Sequence, residues 1–174
     1  MTKPYLRIIG DVHGHYDRYV KLAKKARHSI QLGDLGFDYD CLKQLDPEHH
    51  KVLGGNHDNY SKYGTEIFVK MQSGHWLGDY GIYEVPDFGK IFFVRGGYSI
   101  DWRYRVEGKT FWKDEEMSYD QMQKALQAYI DAKPDFVISH ECPSQITDLA
   151  FGQAYWDGEL LVPSMTAKLL DQML

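Results

Sequence analysis

The chain has 174 residues, 43% of them hydrophobic and 26% charged, with a net charge of −5 at pH 7. That length supports one domain with a substantial core. The composition is that of a soluble globular protein, and the acidic balance gives no strong signal of duplex nucleic-acid binding, which usually needs a basic face. No segment approaches the roughly 18 apolar residues of a membrane span, and MTKPYLRIIG is too short an apolar run for a signal peptide. Cys41 and Cys142 show no C-x-x-C spacing, so the expectation is a reduced, cytoplasmic protein.

In chain order, YLRII (5–9) reads as a buried strand and HYDRYVKLAKKAR (15–27) as a helix. Tyr16, Tyr19, Val20 and Ala23 make the helix's apolar stripe, with lysines opposite. SIQL (29–32) is a second strand, giving a parallel strand–helix–strand unit. CLKQL (41–45) predicts a short helix and KVL (51–53) a third strand. YGIYEV (80–85) and KIFFV (90–94) flank the turn-like PDFGK and predict a hairpin. The aromatic, charged stretch 96–116 reads as a long loop. Ser118 then opens a helix, with Gln121 placed for a capping box and Tyr119, Met122, Leu126 and Tyr129 as its apolar face, and Pro134 just past its end. FVI (136–138) is another strand, and SMTAKLLDQML (164–174) a last helix.

Four of these strands end in residues that bind metals or transfer protons. After RII comes Gly10-Asp11-Val12-His13-Gly14, and after IQL comes Gly33-Asp34. After KVL comes Gly54-Gly55-Asn56-His57-Asp58, and after FVI comes Ser139-His140. Turn chemistry accounts for any one of these polar runs, but not for the recurrence of Asp, His or Asn at all four. In α/β sheets ligands sit outside the carboxyl ends of the strands, and parallel pairing would gather these ends at one sheet edge. Asp11 and Asp34 would then repel unless a cation neutralised them. With His13, His140 and Asn56 they form a mixed N/O donor set that suits Mn, Fe, Zn, Ni or Co better than Ca. A bridging carboxylate can hold two metals about 3.5–4 Å apart, with a hydroxide between them and a phosphoryl group clamped across them.

The series D-x-H, G-D, G-N-H-D and a later His, each at a strand end, resembles the calcineurin-like metallophosphoesterases over nearly the whole chain. GGYSIDWRYR and FWKDEE are similar to a stretch in uncharacterised bacterial and phage members of that family. GDVHG is similar to the opening of the Ser/Thr protein phosphatase and dinucleotide tetraphosphatase branch, but GDLGFDYD lacks the Arg of that branch's G-D-x-x-D-R-G. The resemblance implies an α/β fold with a layered β-sheet core flanked by helices and the site at the C-terminal ends of the strands. It implies that Asp11 and His13 hold a first metal, Asp34 bridges, and Asn56 and His140 hold a second, with two divalent ions, manganese first among them. It further implies that His57 faces the scissile phosphate and Asp58 orients His57. The two glycines before Asn56 would let the backbone turn sharply.

Arg105 and His15 are the candidate substrate contacts, ahead of Arg95 and Arg103. His28, His49, His50 and His75 carry no motif and read as surface or loop residues. Asp114, Glu115 and Glu116 read as acids complementing the helix dipole. The activity expected is metal-dependent hydrolysis of a small phosphorylated substrate, a phosphodiester or phosphomonoester and plausibly a nucleotide. The alternatives are a weakly active or inactive metal-binding scaffold acting through protein contacts, and a single-strand nuclease. A homo-oligomer is compatible with the sequence. The family's final G-H-x-H lies nowhere before Leu174, so the expectation is a single domain, 1–174, truncated ahead of that motif, or completed by a partner chain, that holds at least one metal weakly.

Overall fold

The computed structural model describes residues 5–61, 74–152, 155–156, 158–160 and 162–174. The first half forms β1 (Leu6–Ile9), α1 (Tyr16–Ala23), β2 (His28–Gln31), a 3-10 turn (Asp40–Gln44) and β3 (His50–Val52). The second half supplies β4 (Tyr80–Val85), β5 (Gly89–Val94), α2 (Tyr119–Ala132), β6 (Phe136–Ser139), α3 (Ser144–Phe151), the short pair β7 (Tyr155–Trp156) and β8 (Glu159–Leu160), and α4 (Met165–Asp171).

The strands do not share one sheet. β1, β2 and β3 pair in parallel in that order, whereas β4 and β5 form the antiparallel hairpin and β6 joins β5 in parallel. The two sheets pack through Ile30 of β2 against Val85 and Ile91, with Ile138 of β6 at the margin. Ile30 and Ile91 are fully buried, each contributing about 2 kcal/mol of hydrophobic stabilisation. The outer face of the first sheet is covered by Tyr19, Val20 and Ala23 of α1 and by Leu42, packed with Val52. The outer face of the second is covered by α2 and α4, which bury Phe92 and Val94 beneath Met122, Ala125, Leu169 and Leu170. The result is a helix–sheet–sheet–helix sandwich.

Several boundaries moved for local reasons. α1 stops at Ala23, where Lys25 and Ala26 make tightened bonds back to Leu22 and Ala23. α2 begins at the expected cap: the Ser118 hydroxyl accepts from the Gln121 N–H, and Gln121 Oε1 accepts from the Ser118 N–H at 2.9 Å. It ends at Lys133 in the left-handed conformation, one residue before Pro134. Tyr119, expected on its apolar face, is 63% exposed, because it occupies the first turn, beyond the sheet it would cover. α3 and the β7–β8 pair were not legible in the sequence pattern. The stretch 96–116 holds two 3-10 turns, Trp102–Tyr104 and Lys113–Glu115, and folds back on the site. Among the described residues no helix is long and apolar enough to cross a membrane.

Candidate metal centre

Asp11 and His13 follow β1, and Asp34 follows β2. Their loops are tied together: Val12 and His13 both donate their N–H to the Asp34 carbonyl, at 3.0 and 2.9 Å, and Gly14 donates to Leu35. His13 and Asp34 are both held at positive φ, 44° and 58°. Side-chain-bearing residues pay for that conformation, and such strain concentrates at functional sites. It brings the ligand atoms of Asp11, His13 and Asp34 within 4.8 Å of one another. His13 Nε2 lies 3.6 Å from Asp11 Oδ2 and 3.6 Å from Asp34 Oδ2.

The other Asp34 oxygen faces a second group. His140 Nε2 is 3.4 Å from Asp34 Oδ1 and 2.9 Å from Asn56 Oδ1. His140 Nδ1 sits 3.0 Å from the Leu32 carbonyl, which can only accept, so Nδ1 carries the proton. In a neutral ring Nε2 is then a bare lone pair facing two oxygen acceptors. A positive charge at that point, a proton on Nε2 or a metal ion, completes the arrangement. The Asn56 amide is fixed with its oxygen inward, because its Nδ2 donates to Ser99 Oγ at 3.1 Å. Ser99 in turn donates to Glu115 Oε2 at 2.5 Å and accepts from Arg105. The donor set Asp11, His13, Asp34, Asn56 and His140 therefore fits divalent metal by chemistry and by convergence. His140 belongs to the second sheet, so four strand ends do meet, across two sheets and not along one edge.

Glycines allow this crowding. A Cβ on Gly55 would lie 2.3 Å from Asp34 Oδ1, and one on Gly33 would lie 2.7 Å from His140 Nδ1. Gly33 also has φ 112°, but neither Gly54 nor Gly55 is at positive φ. The pair before Asn56 serves close approach, where the sequence suggested a sharp turn.

His57 donates its backbone N–H to Asp34 Oδ1 at 2.7 Å, and its ring stands edge-on to His13 with centroids 5.3 Å apart. Burial lowers its pKa; Asp34 acts in the opposite sense, while Arg105 and His13 add to the lowering. The hydrogen bonds of Asp58 go elsewhere than the His57 ring. The fully buried Asp58 carboxylate accepts from the backbone N–H of Asp34 at 2.9 Å, Gly55 at 2.8 Å and Gly36 at 3.4 Å, and from the Tyr39 hydroxyl at 3.4 Å. It clasps the loops after β2 and β3, and burial pushes its pKa up to about 7 against the pull of those N–H groups.

Of the two candidate substrate contacts, Arg105 is largely used within the protein and His15 is open to solvent. Arg105 has a side chain only 7% exposed; it bonds Ser99 and the Asn56 carbonyl at 3.3 Å and pairs with Glu115 at 3.6 Å and Asp101 at 3.7 Å. It braces a ligand loop and has little left for phosphate. His15 is exposed and lines a small cavity with Asp11 and Arg18, outside the cluster of convergent ligand atoms. Arg95 is buried against Asp79 at 2.5 Å. Sequence reasoning missed Ser99 and Glu115. Glu115 is 2% exposed, with its pKa raised to about 7 by burial. Glu116 does serve a helix N-terminus, but that of α4, where its Oε1 accepts from Thr166 N–H and hydroxyl at 3.0 Å.

Neither the curated proteins nor the solved structures contain a significant match to the chain. A family model does match: that of the calcineurin-like phosphoesterases, over residues 6–167. The match spans both sheets and every ligand loop described above. The chain therefore belongs to the calcineurin-like phosphoesterase family, hydrolases that act on phosphate esters.

Proposed function

We propose that the chain hydrolyses a small phosphodiester or phosphomonoester at a two-metal site, manganese being the first choice and Fe, Ni, Zn or Co the alternatives. The observation that carries this reading is the division of Asp34: one carboxylate oxygen faces His13 and the other faces His140. Asp11 and His13 would hold one ion, Asn56 and His140 the other, with Asp34 common to both. When bound, such ions lower the cost of deprotonating water and neutralise charge on the phosphoryl oxygens.

The chain's own residues do the rest. His57, with its main chain pinned to the shared carboxylate, presents an imidazole that can donate a proton to the leaving oxygen or stabilise charge on the phosphoryl group. Asp58 keeps the Asp34 and Asn56 loops in register through backbone N–H groups. The Ser99–Glu115–Arg105 cluster fixes Asn56 with its oxygen inward. Cys41 and Cys142 are free thiols, which fits a reducing compartment and supports a cytoplasmic assignment.

The test is turnover of p-nitrophenyl phosphate and bis-p-nitrophenyl phosphate by protein stripped of metal and refilled with Mn²⁺, Fe²⁺, Ni²⁺, Zn²⁺ or Co²⁺ in turn, with metal content measured on the same samples. The expected result is hydrolysis that tracks occupancy of two ions. Binding without turnover of either ester under any metal would favour the inactive scaffold.

A further inference from the structure

The 98–113 segment carries more exposed aromatic surface than bracing Asn56 requires. Tyr98 is 45% exposed, Trp102 42% and Tyr104 69%, with Ile100 and Val106 exposed beside them. A contiguous apolar patch of this kind marks a binding surface, where a single exposed side chain would not. Trp102, Tyr98 and Phe111 line a cavity of about 450 Å³ together with Arg103, Arg105, Lys113 and Glu107, and Glu107 pairs with Lys113 at 3.1 Å. That volume lies in the range of small-molecule sites. The 3-10 turn Trp102–Tyr104 sets Trp102 beside Phe111, ring centroids 6.3 Å apart, with the Arg103 guanidinium over the indole at 5.8 Å.

The cavity is joined to the metal centre through the chain itself. Arg105, on its wall, bonds the Asn56 carbonyl, and Ser99, next to Tyr98, accepts from the Asn56 amide. The cavity thus lies beside the Asn56 loop, within one arginine side chain of the metal centre. Aromatic faces beside Arg103, whose guanidinium lies over the Trp102 ring, suit a flat, electron-rich ring attached to a negative charge. A simple sugar would call for more hydrogen-bonding groups, and a purely aliphatic leaving group would gain nothing from the cations.

We infer that this cavity is the base-binding subsite of a nucleotide substrate, in which a nucleobase stacks on Trp102 and Tyr98 while the phosphoester reaches the metal centre. This deepens the phosphoesterase reading and rests on it for the position of the ester. Base–aromatic stacking is worth about 1–3 kcal/mol per base, so losing the Trp102 ring should weaken nucleotide recognition by about tenfold or more.

The experiment has two arms. In the first, metal-free protein in chelator is titrated with adenosine 5′-monophosphate, and separately with ribose 5-phosphate, while indole fluorescence is read. Quenching by the nucleotide, absent with ribose 5-phosphate, is expected; by equilibrium dialysis of the nucleotide, Trp102→Ala should weaken binding about tenfold or more and Trp102→Phe should keep most of the affinity. Equal quenching by both ligands, or nucleotide affinity unchanged in Trp102→Ala, overturns the subsite. In the second arm, with metal, the ratio of kcat/KM for thymidine 5′-(p-nitrophenyl phosphate) to that for p-nitrophenyl phosphate should fall about tenfold in Trp102→Ala. An unchanged ratio overturns the proposal. If neither ester turns over with any metal, the phosphoesterase reading fails, and the fluorescence arm still decides the cavity.

Discussion

Seven of the chain's eight histidines fall into two groups at opposite ends of the first sheet, apart from His15. At the C-terminal ends of the strands, His13 and His140 sit among Asp11 and Asp34, and His57 is pinned to Asp34 by its main chain. At the start of β2 and β3, His28 and His50 lie with His49 and His75 among their own kind: the His28 and His49 rings meet edge-on at 4.8 Å. The carboxylate paired there is Asp46, 3.9 Å from His49, and Lys24 and Arg27 line the adjoining cavity. The same side chain thus serves opposite ends. Surrounded by carboxylates it can hold a cation; buried among imidazoles and cations, as His28 and His50 are, its protonation is disfavoured. His28, His50 and His75 are at most 7% exposed; the expectation of surface or loop residues fails for His28 and His50, which open β2 and β3 as buried packing groups, while His75 is buried in a turn.

The comparison breaks most visibly at Asp34. Asp34→Ala removes the carboxylate common to both halves of the centre and is expected to abolish bound metal and turnover together, a loss larger than the 10–100-fold that changing a supporting residue costs. His50→Ala, at the other end, should leave metal content unchanged. His57→Ala should keep its metal while kcat falls by about 10²–10⁴, the usual worth of a positioned acid or base. Metal analysis beside steady-state kinetics separates the three, and equal metal loss in His57→Ala would make His57 a ligand. Wild-type protein should also melt lower in chelator, because the ions bind the folded state; an unchanged melting temperature would count against the cluster.

Asp58 sharpens the contrast between ligand and support. Asp58→Ala strands several buried N–H groups at about 1–3 kcal/mol each, so urea unfolding should show a loss of about 3 kcal/mol or more even without metal. Asp58→Asn, which keeps an acceptor, should lose less. Equal stability of Asp58→Ala and wild type would mean the clasp contributes nothing. A smaller effect is expected for Ser99→Ala: the Asn56 amide loses its anchor, and affinity for the ion near His140 should weaken about 10–100-fold, measured by competition with a chromogenic chelator.

How much of this was legible follows from what each residue needs. Asp11, His13, Asp34, Asn56 and His140 are read from sequence because each follows a short apolar run by two to four residues, and strand ends place such residues regardless of the rest. The α1 stripe and the Ser118–Gln121 box are local patterns, and they hold. The clasp made by Asp58 was hidden because two of its backbone N–H partners, Asp34 and Gly36, lie 24 and 22 positions earlier, which no side-chain pattern announces. Ser99, Glu115 and Arg105 act through a loop that folds back over 43 to 49 residues onto Asn56, a contact that only tertiary structure creates. The split into two sheets was hidden for the same reason: β6 reads as one more parallel strand, and it is parallel, but to β5.

The smallest predicted effect concerns the histidine group away from the metals. Burial lowers the His28 pKa from its ordinary 6.5, and His49 and Arg27 lower it further. Burial likewise lowers His50, with His49, His75 and His28 adding to it, while Asp46 acts in the opposite sense. A base whose folded pKa is depressed binds fewer protons folded than unfolded, so stability rises with pH across the interval between the two values. The contribution is therefore fully present above about pH 6.5 and is lost as the pH falls from there toward the lowered folded values. Urea unfolding at about pH 7.5 and 5.5, with chelator in both to keep the metal centre out of the balance, should show wild type losing more stability than His28→Phe. Phenylalanine suits the site because His28 already packs against the Tyr5 ring at 5.3 Å. If both proteins lose the same amount, His28 carries no share of the acid sensitivity, and the lowering of its pKa by burial is wrong.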